Sequence, residues 1–446
     1  MYCIIAGEIV DSQQLAPDVK ERAAQAAKDA FDRINTEYIN SLIMTFDMVR
    51  GDAFEGVMLT RHHAPRIVEN IIKAFYRVEK VTVRVSVVIG QLTKTGSGRN
   101  DIDGPAFHEA VNRLEKMRET KNTHWLQLSF AAGSLAQSLV DSQLALLTAL
   151  TWRWTDKQRE IVWSTQAHGE QRKIVANQLG VSLPVVSKQL TAAHYDVYCQ
   201  AWEGLTDYLA NMGEYTAHNS AAAEKSYVPY FNAAIRKFEQ YNYKEALPLI
   251  QKSLDSARNE LSSNDPLFIP IYNSLADICL SNKNYDEAET ALEESMRLQE
   301  SMSKTRLQYI KTLYLKAHIY SEKNNADKAL NNLKEALSIA HGALRDKHPF
   351  WGSIYNGLAI IYRKSAEYKK AIEYYTDALA TTGASPIDYA ATNYNIAKCY
   401  CRMGKNEQAL SYAQEALQLF KENLSPNHKY VTDTQKLLLH IKKPNK

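Results

Sequence analysis

A repeating spacing of alanines runs through the C-terminal half of the chain and restricts its fold more than any other feature. The gaps between successive alanines are 42, 41, 42 and 38 residues. The five positions are Ala246, Ala288, Ala329, Ala371 and Ala409. Seven residues after each alanine stands another small side chain, followed by Leu or Met. Because small residues at fixed places let paired helices approach closely, the spacing predicts stacked helical hairpins over residues 227–446.

The segments 272–276 and 355–359 repeat one first-helix pattern, and 347–349 and 425–428 fit extended loops. This arrangement resembles tetratricopeptide repeats in the longer form of kinesin-light-chain-like arrays. The resemblance implies about five repeats, a C-terminal capping helix near 432–441, and a groove that binds a protein or peptide. Amides there would bond to peptide backbone and cations to acidic groups, unless these are ordinary solvated residues. The implied groove residues are Asn273, Asn356, Arg363, Lys398 and Arg402.

The remaining residues are enough for further domains, since 446 residues are too many for one core. Apolar residues make up 45% and charged residues 23%, as in globular proteins, and the net charge of +3 neither requires nor excludes nucleic acid. No apolar run of about 18 residues occurs, so no membrane span is predicted. The first residues fit a strand and not a signal peptide. Five scattered cysteines predict buried thiols in a reducing cytoplasm.

Residues 1–150 alternate strand and helix patterns. An apolar run at 2–10 and a helix opened by Pro17 precede two strands at 41–49 and 53–59. A second helix and an alternating strand at 81–89 complete the order βαββαβ, the ferredoxin-like plan of an α+β domain. A polar loop at 96–103, a helix to about 119, a strand at 125–130 and a long helix at 134–151 close this domain.

Four patches in this domain occur at 6–12, 50–56, 84–90 and 103–108. In order and spacing they resemble the core of class III nucleotide cyclases, and more closely the small bacterial SatD family. The resemblance implies a nucleotide-handling palm in which Glu8 and Asp52 hold Mg²⁺ or Mn²⁺, which prefer oxygen ligands. The alternative is that both acids merely solvate a strand edge and a turn. The implied nucleotide- or phosphate-binding residues are Ile9, Asp11, Ser12 and Gly51.

The helix after Gly104 matches the catalytic helix of the cyclase family only in part. Aligning the helix after Gly104 places His108 and Asn112 at the family's catalytic positions, but puts Arg113 one residue late. One residue turns a helix by about 100°, so Arg113 would leave the face of His108. The first acid is Glu instead of Asp. The domain is therefore expected to bind a nucleotide or metal, to cyclise a nucleotide at a dimer interface, or to be structural only.

Residues 151–203 resemble the helix-turn-helix of sigma-factor region 4, and 204–226 connect them to the repeats. Gly180 permits the turn, Ser182 is the predicted N-cap, and Val186 and Leu190 are expected to pack inward. Arg172 and Lys173 would neutralise DNA phosphates. The same geometry also serves as a protein connector. The residues expected to face DNA are Leu183, Pro184, Ser187, Lys188 and Thr191.

Together these features predict a cytoplasmic bacterial regulator. Its palm would sense a nucleotide, its helix-turn-helix would bind DNA, and its repeats would bind a protein or peptide. The first alternative is an active nucleotide cyclase controlled by the other two domains. The second is a non-enzymatic scaffold built on the repeats.

Overall fold

The computed structural model describes eleven stretches of the chain: 2–49, 51–94, 102–119, 126–130, 134–168, 170–216, 227–300, 307–346, 348–381, 386–424 and 428–441. The chain divides into two compact units. The first comprises Met1–Arg153 and Asp196–Lys304, and the second comprises Trp154–Tyr195 and Thr305–Lys446. No helix in the described stretches combines the length and apolar character needed to cross a membrane.

The N-terminal part of the first unit, residues 2–152, is called the sheet region. Its five strands have the order β2-β3-β1-β4-β5, antiparallel except for the parallel pair β4–β5. The predicted order βαββαβ is present in its first six long elements. Its elements are β1 Tyr2–Ile9, α1 Pro17–Glu37, β2 Leu42–Met48, β3 Ala53–Met58, α2 Ala64–Tyr76, β4 Val83–Gly90, α3 Pro105–Glu119, β5 Leu126–Phe130 and α4 Ser134–Trp152.

Two predicted elements of the sheet region lie partly outside the described residues. The strand predicted at 125–130 is described from 126, so Trp125 lies outside. The predicted loop at 96–103 is described only at its last two residues.

The central strand of the sheet is shielded from solvent, because every residue of β1 is buried. Gly7 in β1 lies directly against the Phe54 ring of β3, where a Cβ would come within 2.1 Å of that ring. Phe54 in turn packs against Phe31 of α1, with ring centroids 5.4 Å apart. A glycine opposite an aromatic residue therefore lets the ring lie flat over the sheet. This contact fixes how β1 and β3 meet, and so positions their ends.

The first unit also contains a long helix and the first two repeats. Their helices are α8 Tyr195–Thr216, α9 Tyr227–Glu239, α10 Tyr243–Glu260, α11 Phe268–Ser281 and α12 Tyr285–Gln299. The sheet region bonds directly to them. The hydroxyls of Tyr2 and Tyr227 lie 3.0 Å apart, and Asn40 Nδ2 donates to Asp277 Oδ2 at 2.6 Å. The first two repeats therefore pack with the sheet region as one unit. Residues 217–226 of the predicted connecting segment lie outside the described part.

The second unit contains three short helices, called the three-helix segment (154–195), and the remaining repeats. The short helices are α5 Asp156–Ala167, α6 Arg172–Gln178 and α7 Leu183–Ala192. The repeat helices are α13 Leu307–Glu322, α14 Ala326–Ala343, α15 Phe350–Lys364, α16 Tyr368–Ala380, α17 Pro386–Arg402 and α18 Asn406–Asn423, with α19 Lys429–Ile441 after them. The predicted terminal helix is thus present and begins three residues earlier than expected. The predicted loop at 425–428 is described only at His428.

The repeat region, residues 227–441, is packed as the alanine spacing predicts. All five periodic alanines have 0% exposure, and the small residues seven places later are buried as well. A second period was not expected. Inside each helical pair one residue has left-handed backbone, with φ between 58° and 73°. These residues stand five places before each alanine, at Tyr241, Lys283, Asn324, Ala366 and Gly404.

Candidate functional site

The two predicted acids lie at adjoining strand ends. Glu8 is paired with Ala53 across β1 and β3, and Ile9 N donates to the Asp52 carbonyl oxygen at 2.9 Å. The sequence expectation that Glu8 and Asp52 come from neighbouring strands is therefore correct in its topology. Their surroundings differ, because Glu8 is only 2% exposed whereas Asp52 is half-buried in the turn before β3.

The Glu8 carboxylate is bound by two arginines. Arg118 of α3 donates from Nε to both carboxylate oxygens at 2.8 Å, and its Nη2 also bonds Oε2. Arg84 of β4 adds a contact from Nη1 to Oε1 at 3.3 Å. The hydrogen bond with Glu8 raises the pKa of Arg118 above its usual value. Charge-assisted bonds of this kind are strong, so the oxygens of Glu8 are committed to guanidinium groups.

The other predicted phosphate-binding residues gather at the same strand ends. Ser12 Oγ donates to Asp52 Oδ2 at 2.5 Å. Asp11 and Gly51 have left-handed backbone, with φ of 49° and 75°, and so form the two turns there. Ile9 has only 6% exposure and faces the core. The end of the sheet is therefore a cluster of polar turns beside a part-buried ion pair, in which Glu8 is buried and Arg118 is largely exposed.

This arrangement does not fit a divalent metal. A site for Mg²⁺ or Mn²⁺ needs carboxylate oxygens free to coordinate, whereas Glu8 binds Arg118 and Arg84. Among the described residues, the group of metal-ligating side chains that converges includes neither Glu8 nor Asp52.

His108 and Asn112 are not brought to this end of the sheet. Ala106, at the start of α3, lies against Gly90, which pairs with Tyr2 at the opposite end of β1. His108 is exposed and its Nε2 lies 2.8 Å from Asp103 Oδ1. Ten residues along a helix span about 15 Å, which separates His108 from the level of Arg118. The structure therefore separates His108 from Glu8.

Asn112 is exposed as well, six residues before the arginine that reaches the carboxylate. Arg113, which the alignment had placed one residue late and off the face of His108, pairs with Glu109 on the same helix at 2.7 Å. The residue that sequence reasoning missed is Arg118. The sequence does place Arg118 on the helix predicted to end near residue 119, one to two turns beyond Arg113. That position was the signal that a second arginine of this helix could reach the strand ends.

The three-helix segment exposes most of the residues predicted to face DNA. Val186 and Leu190 of α7 are buried at 0% and 2% exposure, as expected. Gly180 adopts φ of 62° in the turn. Ser182 stands at the N-cap, as predicted, and its side chain makes no capping hydrogen bond. The residues that lie outward are Arg172, Lys173, Leu183, Pro184, Lys188 and Thr191, with Ser187 half-buried.

Bonds at both ends hold this segment. Trp154 Nε1 donates to the Ala193 carbonyl oxygen at 2.9 Å, and the Tyr195 hydroxyl donates to Glu170. Thr155 and Gln158 form a capping box at the start of α5. The outward face of α7 is therefore presented on a fixed support.

Three of the five predicted groove residues are neighbours. Burial, and then the positive charges of Arg363 and Arg402, lower the pKa of Lys398. The ammonium of Lys398 lies 5.2 Å from the Tyr394 ring, and Arg363 Nε donates to the Tyr375 hydroxyl at 3.3 Å. These three cations on α15 and α17 are called the cationic patch. Its electrostatic potential favours an acidic ligand.

The two asparagines are placed differently. Asn273 is 1% exposed, and its Oδ1 accepts from Ser295 Oγ at 2.8 Å between α11 and α12. It belongs to the packing of its repeat, so the expectation that it lines an open groove is wrong. Asn356 is half-buried, and its Oδ1 accepts from Thr392 Oγ1 at 3.3 Å.

A further group was not found from the sequence. His62 and His63, between β3 and α2, meet Glu239 at the end of α9. The Nε2 atoms of His62 and His63 lie 3.4 and 2.7 Å from the two Glu239 oxygens. These three residues are called the histidine cluster. The only sequence signal is the His-His pair, because its acidic partner is more than 170 residues away.

The histidine cluster is electrostatically coupled. Burial, followed by the charge of His63, lowers the pKa of His62 to about 4. Burial would raise the pKa of Glu239, but the bonds from His62 and His63 outweigh it and lower that pKa to about 2. His62 is thus uncharged and Glu239 ionised near neutral pH. Thr60 Oγ1 lies 2.8 Å from Nδ1 of His63 and orients that ring.

Comparison with known families matches both halves of the chain. A model of the SatD family matches residues 2–209, and a tetratricopeptide repeat model matches 229–301, 308–382 and 388–439. A SatD domain therefore stands at the N-terminus, and tetratricopeptide repeats follow it. The SatD match extends beyond the sheet region through the three-helix segment into α8. The comparison with curated proteins found no match.

Several of the similar solved structures are described as tetratricopeptide repeat proteins. A putative kinesin light chain of Podosopora anserina with nearly identical TPR-like repeats has 19% identity and a TM-score of 0.37, over 43% of this chain and 92% of that one. BtubC (BKLC) from P. vanneervenii has 18% identity and a TM-score of 0.38, over 62% and 96%. A thermophilic TPR protein of Thermus thermophilus has 18% identity and a TM-score of 0.36, over 48% and 100%.

Proposed function

We propose that this chain is a cytoplasmic regulatory protein whose C-terminal repeats bind an acidic segment of a partner protein. The observation that carries the proposal is the cationic patch of Arg363, Lys398 and Arg402. Tetratricopeptide repeats suggest a protein-binding module, and they occupy residues 229–439 with short interruptions. The patch gives that module a preferred ligand chemistry.

The patch is electrostatically unfavourable without a ligand. Lys398 is half-buried, and both neighbouring arginines disfavour its charged form. Asp433 acts in the opposite direction but is not the leading influence on Lys398. A carboxylate brought by a partner would relieve the repulsion among three like charges. The tyrosine ring beside Lys398 adds an apolar wall against which an extended peptide can lie.

The proposal is tested by fluorescence anisotropy with a labelled peptide rich in Asp and Glu, and with its Asn/Gln counterpart. We expect the acidic peptide to bind more tightly and to lose affinity as salt is added. Replacing both Arg363 and Lys398 by Ala should weaken binding at least about tenfold, since bonds to charged groups contribute about 1.5–3 kcal/mol each. Lys369→Ala, an exposed change on α16, is the matched control. Equal binding of both peptides would contradict the proposal.

A second function, DNA binding by α6 and α7, is supported by the outward face of α7. That helix buries Val186 and Leu190 and leaves Leu183, Pro184 and Lys188 exposed, as insertion into a major groove requires. Exposed Arg172 and Lys173 would contact phosphates. The net charge of the chain is small, so affinity is expected to be low without dimerisation.

DNA binding is tested by measuring the affinity for duplex DNA at several salt concentrations. If Lys173 and Lys188 each contact a phosphate, replacing either by Ala should reduce the salt slope by about 1. Lys157→Ala, on the exposed face of α5, is the control. Absence of salt-dependent binding to any duplex would make this segment a connector. Nucleotide cyclisation is not part of the proposal, because Glu8 is held by arginines and His108 lies elsewhere.

A further inference from the structure

The histidine cluster joins two parts of the first unit. His62 and His63 follow β3, at the start of α2, and are 7% and 8% exposed. Glu239 ends α9, the first helix of the first repeat, and its side chain is 45% exposed. The cluster therefore has two buried nitrogen donors and one carboxylate open to solvent. An ion could reach it from the Glu239 side.

The distances within the cluster suit a transition metal. Every potential ligand atom lies within 4.8 Å of the others. Zinc binds imidazole nitrogen at about 2.0–2.1 Å and carboxylate oxygen at about 2.0–2.2 Å, which sets neighbouring tetrahedral ligands roughly 3.4 Å apart. The His62–Glu239 separation is 3.4 Å and the His63–Glu239 separation is 2.7 Å. The His63–Glu239 pair must open by less than about 1 Å to admit an ion, and the two histidine nitrogens lie within 4.8 Å of each other.

The surroundings of His63 favour metal ligation through Nε2. Thr60 Oγ1 lies 2.8 Å from its Nδ1, so that the nitrogen facing Glu239 can serve as the ligand. A hydrogen bond to the distal ring nitrogen is the usual support for a metal-bound histidine. The ring of Tyr38 packs 4.6 Å from that of His63 and limits its rotation. The buried Nδ1 of His62 has no hydrogen-bond partner among the described residues.

The donor set also restricts which metal fits. Two imidazoles and one carboxylate favour zinc and similar divalent transition metals over Mg²⁺, which prefers oxygen ligands. Three protein ligands leave one tetrahedral position for water. Arg236, on the same helix as Glu239, acts on His62 with a positive charge and will weaken binding of a cation. Moderate affinity is therefore expected.

We propose that His62, His63 and Glu239 form a site for a divalent transition metal such as Zn²⁺. The ion would link the turn after β3 to the first repeat helix, at a place where Asn232 Nδ2 already donates to the Leu59 carbonyl oxygen at 3.3 Å. This site is separate from the acids at the end of β1. It does not depend on the peptide-binding proposal.

The test uses the full-length protein freed of metal with a chelator and titrated with Zn²⁺ against a competing indicator. We expect one Zn²⁺ per chain whose affinity falls at least about tenfold in Glu239→Gln and in Thr60→Val. Glu245→Gln, at an exposed glutamate of the next helix, should leave the affinity unchanged. Zinc should also raise the melting temperature of the wild type and of Glu245→Gln, but not of Glu239→Gln.

Two results would overturn the proposal. One is Zn²⁺ binding of equal affinity in the wild type and both cluster variants, or no binding at all. The other is a result from the absorption spectrum of Co²⁺ bound to the wild type. This measurement needs no variant, so it holds even if a variant fails to fold. A thiolate-to-cobalt charge-transfer band would place the ion at a cysteine, whereas d–d bands without it are expected for nitrogen and oxygen ligands.

Discussion

The sheet region and the repeat region bury different kinds of polar residue. Among the described residues of the sheet region, five side chains with a formal charge are buried: Glu8, Glu55, Arg61, Glu69 and Lys73. In the described part of the repeat region the buried polar side chains are Ser, Thr, Asn, Gln and one His. Burying an unpaired charge is expensive, so the charges of the sheet region must find partners. Glu69, for example, pairs with Lys73 at 3.0 Å and accepts from the Tyr198 hydroxyl at 2.5 Å.

The difference reflects how each region is specified. A repeat contacts its neighbours through a pattern that recurs every 38–42 residues, so small uncharged residues at fixed places are sufficient. The sheet region has no internal repeat, and its pairs join residues far apart in sequence, such as Glu8 with Arg118. Removing one member of such a pair leaves a buried charge without compensation. The sheet region should therefore be more sensitive to loss of a single polar side chain.

The largest expected effect in this comparison is that of Arg118→Ala. It leaves Glu8, 2% exposed, with only the longer contact to Arg84. We expect a loss of about 2–3 kcal/mol, below the ~3–5 kcal/mol of a fully buried pair because the Arg118 side chain is 59% exposed. Hydrogen exchange of peptides covering β1 measures the loss.

Two further variants make this prediction specific. Arg113→Ala removes a pair within one helix and should change stability by less than about 0.5 kcal/mol. The double change Arg118→Ala with Glu8→Gln should recover part of the loss, because it removes the buried charge. If Arg118→Ala behaves like Arg113→Ala, the contrast between the two regions is wrong.

A smaller effect is expected at the left-handed turns of the repeats. Ala366 adopts φ of 61° and Gly404 adopts φ of 73° at equivalent places. Because glycine tolerates this backbone, Ala366→Gly should stabilise the repeats by up to about 1 kcal/mol, and Gly404→Ala should destabilise them by about 1 kcal/mol. Urea unfolding followed by circular dichroism measures both. Ala391→Gly, inside helix α17, should destabilise; the same sign for Ala366→Gly would show that turn geometry does not matter.

The last expected effect, similar in size to that at the turns, concerns the buried thiols, which should behave alike in both regions. Burial raises the pKa of Cys3 in β1 to about 12 and that of Cys399 in α17 to about 11. Each thiol ionises near pH 9 in the unfolded chain but only near pH 11–12 in the folded protein. The stabilisation is therefore complete below pH 9 and is lost as the pH rises from about 9 toward the pKa of the folded protein. Between pH 8 and 10 each thiol should account for a loss of about 1 kcal/mol.

This loss is measured as the difference between the wild type and Cys3→Ala or Cys399→Ala at the two pH values. If Cys3→Ala does not change the pH dependence of stability whereas Cys399→Ala does, the thiol of Cys3 ionises as easily in the folded protein as in the unfolded one. The charges of the sheet region would then act on Cys3 more strongly than burial does, in the direction in which Arg61 already lowers the thiol pKa. The two regions would then also differ in the environment of their thiols. Equal effects of the two substitutions would mean that the regions differ only in their buried ion pairs.

Much of the fold was accessible from the sequence because it depends on local periodicity. The alanine spacing predicted the repeat helices, and the alternation at 81–89 predicted β4. The left-handed turns were missed because four of the five positions are not glycine. The conformation there belongs to a local turn at the end of the first helix of each pair, as where Asn242 N donates to the Lys237 carbonyl oxygen at 2.9 Å. The N-cap position of Ser182 was predicted correctly, because the residue type favours that position whether or not its side chain forms the capping bond.

The candidate sites were less accessible. The sequence identified Glu8 and Asp52 as neighbours, but no pattern in it indicated that Arg118 and Arg84 would bind the Glu8 carboxylate. It placed Asn273 on a groove, whereas Ser295 draws it into the helix pair. It assigned Arg363, Lys398 and Arg402 to one groove; both arginines do lie close enough to act on Lys398, and their contact with a ligand stays a prediction.

The order of residues determined which segments become strands and helices, how the repeats stack, and which apolar faces turn inward, since these follow from periods of two, 3.6 and about 42 residues. Only the tertiary structure decided which charges neutralise one another. It paired Glu8 with Arg118 across 110 residues and brought Glu239 to His62 and His63. The reason is that such pairs form between surfaces that meet only after the elements have packed, and no local pattern records their meeting.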